Sequence, residues 1–139
     1  IKERYASMLE DGSFQLDAAR PYQECLQELQ KNQWVVNVQP ATRSQVPSKL
    51  YDYLAINRPI LNITPIDGAL GQIVTRYQIG EVFGFDESEK LSQYLIDIAE
   101  QHRKEAPFNG YPNRGLFDCR IITEKLIERI EHICQNQAT

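Results

Sequence analysis

Apolar positions along this chain recur in two rhythms that alternate from one end to the other. Tyr5, Met8 and Leu9 share one side of a short helix that ends at Asp11-Gly12, a helix-stopping pair. Phe14-Gln15-Leu16 reads as a short strand. Pro21 opens a helix in which Tyr22, Cys25, Leu26 and Leu29 recur at helical spacing. The β-branched run Trp34 to Val38 predicts a buried strand. Beyond a loop over 39–46, Pro47-Ser48 begins a helix with Leu50, Tyr51, Tyr53 and Leu54, and Pro59 to Ile63 predicts a second buried strand. Asp67 stands as the N-cap of a helix carrying Leu70, Ile73 and Val74. Gly80 to Phe85 is the next strand. Helices over 88–102 (Leu91, Leu95, Ile98, Ala99) and 122–135 (Leu126, Ile130, Ile133) follow, separated by a Pro-, Gly- and Asn-rich surface loop over 107–115.

Short apolar strands alternating with helices predict right-handed βαβ units, hence an α/β fold with a Rossmann-like, mainly parallel sheet and flanking helices. Ligands of such sheets bind at the carboxyl ends of the strands, which singles out the loops over 39–46 and 64–68.

Composition narrows the picture. A chain of 139 residues with 42% hydrophobic content suits one soluble domain. A net charge of -4 excludes a duplex nucleic-acid binder, which needs a basic face. Cys25, Cys119 and Cys134 form no Cys-x-x-Cys pair, and His102 and His132 sit on polar helical stretches, so neither a metal site nor a disulfide framework is expected. Buried or half-buried free thiols in a reducing cytoplasm are expected instead. The sequon Asn62-Ile63-Thr64 ends a predicted buried strand and reads as a chance match.

Residues 46–68, VPSKLYDYLAINRPILNITPIDG, carry a resemblance. Pro47, Ser48, Lys49, Leu50, Tyr53, Leu54, Ala55, Pro59, Ile60 and Leu61 match a P-S-K-L-x-E-Y-L-A-x-x-x-P-I-L pattern, with Asp52 where the pattern has Glu. This segment resembles the C-terminal, donor-nucleotide-binding domain of family 4-like (group 1) GT-B glycosyltransferases, and the flanks from Phe14 and through Leu126 extend that resemblance. It implies a hexosyltransferase using a UDP- or GDP-linked sugar, without metal, in polysaccharide biosynthesis. A glycan or lipid-linked acceptor would be held by a domain outside this chain. It implies nucleotide-sugar contacts from Pro47, Ser48, Lys49, Asp52, Asp67 and Gly68, with Asp52 on the ribose; it names no catalytic residue. The chemistry of these residues agrees in part: helix-start amides attract a diphosphate, Lys49 adds a charge, and Asp52 lies one turn on.

Plainer readings stand beside these. Lys49 and Asp52 can form a surface ion pair, Ser48 can simply cap, Asp67-Gly68 can be a turn, Arg43 can be solvated, and Tyr51 and Tyr53 can be packing aromatics. Ser44 occupies the position where many members carry a first glutamate, leaving the sugar contact without a carboxylate. Residues 1–139 are expected to be the later part of the domain, lacking its first strands and the acceptor domain. Such a piece would be inactive alone, would lie in the cytoplasm, and would reach a membrane only through the absent domain. Its open sheet edge invites a homodimer. The alternatives are a degenerate, non-catalytic domain of this architecture or a GT-B nucleotide-sugar 2-epimerase. A receiver-like module lacks its acidic cluster here.

Overall fold

A computed structural model describes residues 3–39, 42–101 and 108–137. The elements follow in the order α1 (Ala6–Glu10), α2 (Tyr22–Lys31), β1 (Val35–Val38), α3 (Lys49–Ile56), β2 (Ile60–Ile63), α4 (Ala69–Tyr77), β3 (Glu81–Phe83), α5 (Ser88–Gln101), a 3-10 turn (Arg114–Phe117) and α6 (Cys119–Gln137). The three strands form a parallel sheet in the order β1-β2-β3, so the architecture is mixed α/β and Rossmann-like.

Register explains the core. Val35 lies beside Ile60, and Asn62 beside both Asn37 and Val82, so these side chains share one face. Against that face α3 sets Leu50, Leu54 and Ile56 and α4 sets Leu70 and Val74, closing a cluster with Ile79. The other face meets α5, where the Tyr94 ring lies 5.2 Å from Phe83 and edge-on to Trp34 at 6.1 Å. Two asparagines are buried in the sheet: Asn37 Nδ2 donates to Asn62 Oδ1 at 3.1 Å, and Asn62 Nδ2 donates to the Glu81 carbonyl at 3.1 Å. This chain of bonds satisfies amides that would otherwise be costly inside a core. Gly80, at φ 142°, follows from the same crowding, because a Cβ there would meet Ile60 O at 2.8 Å and Asn62 Nδ2 at 2.9 Å.

Several expectations are corrected. Phe14–Leu16 is not a strand. Phe14 N donates to Met8 O at 2.8 Å and its ring packs on Tyr5, so the segment folds back on α1 instead of finding a strand partner. Val36 and Val38 are half exposed: β1 is an edge strand, and α5 covers β3 rather than β1. The central β2 is buried as expected. All three cysteines are free but exposed, not buried. The loop before α6 is tied to the core. Tyr111 Oη accepts a 2.7 Å bond from Ile60 N, Asn113 Nδ2 donates to Tyr77 O, and Phe117 packs edge-on against Tyr77. Burial pushes the Tyr111 hydroxyl up to about 12. His102 and Pro107 lie outside the described residues. No helix among the described residues is long and apolar enough to cross a membrane.

Candidate functional site

Parallel strands with intervening helices place every strand end and the following helix start on one edge of the sheet. At that edge the loops after β1, β2 and β3 enclose a cleft of about 550 Å³, lined by Arg43, Pro65, Ile66, Asp67, Gly84, Phe85 and Asp86. Its chemistry is mixed. Ile66 and Phe85 are about half exposed and present apolar faces. Arg43 and Asp67, each 67% exposed, form an ion pair across the cleft. At that exposure the pair adds little to stability, and a ligand can compete for either partner.

The loops are held in this geometry by backbone contacts. Ala69 N donates to Arg43 O at 2.6 Å, so the loop after β1 closes the first turn of α4. Gly68 makes that approach feasible, since a Cβ there would lie 3.3 Å from both Cα and O of Arg43. Gly68, not Asp67, is the N-cap of α4. The carboxylate of Asp67 is turned to Arg43, while its carbonyl accepts from Gln72 Nε2 at 2.9 Å. On the third side, Glu87 accepts from Gly84 N at 3.0 Å and from Lys90 at 2.5 Å, and these bonds, the lysine first, lower its pKa.

The residues singled out from the sequence do not converge. Asp67 lines the cleft, and Gly68 borders it. Ser48 caps α3 by position, with no side-chain bond to the helix. The ladder of α3 opens with Leu50 N to Pro47 O at 3.1 Å and Tyr51 N to Ser48 O at 3.0 Å, which leaves the amides of Ser48 and Lys49 ahead of it. Lys49 is exposed, and no ion pair joins it to Asp52. Asp52 faces elsewhere: it accepts a 2.6 Å bond from Tyr22 Oη, and that bond raises the pKa of the phenol. It lines a second cavity of about 470 Å³ with Tyr51, Arg114, Phe117 and Asp118. Asp52 and Asp67 thus lie in different clefts, because α3 carries Asp52 past the sheet edge toward α2. Sequence reading missed Tyr22, Ile66, Phe85 and Asp86. Phe85 carried a usable signal, an aromatic at a strand end followed by two acidic residues.

Comparison with known proteins overturns the glycosyltransferase resemblance. No family model matches the chain, and no solved structure matches it. A similarity of 33% identity over 61 residues joins it to the ribosome maturation factor RimM of Lactobacillus helveticus. That match covers 44% of this chain and 36% of the relative. The assignment to a group 1 glycosyltransferase, and with it hexose transfer and polysaccharide biosynthesis, is therefore withdrawn. The short P-S-K-L motif is a helix start followed by core positions, Leu50 and Leu54, which any βαβ unit needs.

Proposed function

We propose that this chain is a nucleotide-binding unit that holds a phosphate-bearing ligand at the carboxyl edge of its sheet. The supporting observation is the cleft in which Arg43 opposes Asp67 between the exposed faces of Ile66 and Phe85. Phosphate oxygens would take the Arg43 guanidinium from Asp67 and gain the planar, two-pronged bonds that arginine offers. The freed Asp67 and the neighbouring Asp86 would accept from sugar hydroxyls. Ile66 and Phe85 would cover the flat face of a base. Lys49 and the leading amides of α3 add positive potential near the same edge. The cleft offers two carboxylates, Asp67 and Asp86, and one guanidinium, Arg43, and the unit would serve a cytoplasmic enzyme by holding the nucleotide there.

Amide-resolved NMR titrations with UDP, GDP and ADP test this reading. Shifts confined to 42–49, 64–68 and 84–86, abolished by Arg43→Ala, are expected with at least one nucleotide. A well-dispersed spectrum that ignores all three at millimolar concentration refutes it.

The similarity to RimM favours a second reading, a part in ribosome maturation. With its net negative charge the chain would engage ribosomal proteins rather than bare RNA. Co-sedimentation with ribosomal particles decides it, and a chain that stays in the supernatant excludes it.

A further inference from the structure

We propose that α6 is the pairing surface of a two-fold homodimer, in which two copies of the helix lie antiparallel and cross at Leu126. The helix is 19 residues long, about 28 Å at the standard rise. Its main contact is with the 3-10 turn that precedes it, and every described residue from Asp118 to Asn136 is exposed. Yet it carries a stripe no isolated helix needs: Ile122, Leu126, Ile130 and Ile133 are 48–58% exposed. The whole chain exposes 10,795 Å². A folded monomer of 16.1 kDa is expected to expose about 7,400 Å². That excess is spread over the whole chain, and the stripe of Ile122, Leu126, Ile130 and Ile133 is the part of it that a helix partner would cover.

The occupant follows from the symmetry of the stripe. Ile122 and Ile130 lie four residues to either side of Leu126, and Cys119 and Ile133 lie seven to either side. Reversing the helix about Leu126 therefore maps the stripe on itself, as a two-fold axis requires. Ile122 then packs on Ile130 of the second copy, and Cys119 packs on its Ile133. Charge agrees. The same operation places Arg120 beside Glu131 of the second copy, and neither has an ion-pair partner within its own chain among the described residues. On the other flank the two Arg129 side chains stay six residues of helical rise apart, about 9 Å. The β1 edge is only four residues long and offers no comparable match.

Antiparallel pairing makes one more demand. Cys119 lies seven residues before Leu126 and Cys134 eight after it, so Cys119 of one copy comes beside Cys134 of the other. Sedimentation equilibrium of the whole chain is expected to give twice the 16.1 kDa protomer mass. Copper–phenanthroline should oxidise the two thiols to an inter-chain Cys119–Cys134 disulfide, identified by peptide mass. Leu126→Glu places a charge at the axis and should weaken the dimer at least about a hundredfold. Because Leu126 is exposed in the protomer, the amide NMR dispersion of residues outside α6 should be retained. A monomer at high micromolar concentration, or a dimer that keeps its mass in Leu126→Glu without forming that disulfide, overturns the proposal. A monomer that instead sediments with lipid vesicles also overturns it and assigns the stripe to a membrane surface.

Discussion

Replacing Gly71 with alanine should destabilise the protein, although helix propensity alone predicts the reverse. Gly71 is buried inside α4 with ordinary helical backbone, where alanine normally gains about 1 kcal/mol. Here an added Cβ would collide with the carbonyl oxygen of Ile66 and would lie 2.8 Å from both Ile66 C and Pro65 O. These are backbone atoms, so no rotamer change relieves the contact, and α4 and the 64–68 loop must separate. Overpacking of this kind costs about 1–3 kcal/mol, and rigid neighbours place it at the upper end. Set against the propensity gain, the net loss is about 2 kcal/mol. For a chain of this size that lowers Tm by roughly 6 to 10 °C. Differential scanning calorimetry measures it, with Gly115→Ala as the control, because the nearest atom to a Cβ there is Ile121 Cδ1 at 3.9 Å. The displaced loop carries Asp67, so any nucleotide-induced shifts at 64–68 should weaken in the same variant. A Tm equal to or above that of the parent would refute the close approach of α4 to the Pro65–Ile66 backbone.

Two further outcomes follow from the core and its margin. Leu54→Ala removes a fully enclosed side chain between α3 and the sheet and should cost about 2–5 kcal/mol in urea unfolding, while Val36→Ala on the open face of β1 should stay within about 0.5 kcal/mol. Tyr111 ionises near 12 in the folded protein and near 10 when unfolded, so its contribution to stability is complete below pH 10 and is lost as pH rises toward 12. Tyr111→Phe should flatten that alkaline decline in denaturation midpoints while lowering stability at neutral pH, since Ile60 N loses its acceptor. An unchanged alkaline slope in the variant would show that other groups govern it.

Much of this architecture was legible in the residue pattern by itself. The alternation of β-branched runs with 3.6-period stripes specified α2 through α5 and the parallel sheet, because burial of one helix stripe on a strand run admits few arrangements. Pro21 and Asp11-Gly12 marked boundaries for a local reason, the missing N–H of proline and the φ freedom of glycine. Tertiary structure decided the rest. Whether Phe14–Leu16 became a strand depended on a neighbour to pair with, and none was at hand. Whether β1 was buried depended on its place at the sheet edge, not on its valines. The motif around Lys49 and Asp52 showed where α3 begins but not which way Asp52 turns, and Tyr22, thirty residues away, claims that carboxylate. Arg43 and Asp67 likewise meet only because two loops reach the same sheet edge. Local pattern determines which segments become helices and strands. Which polar atoms then face one another is settled by through-space contacts that sequence spacing does not encode.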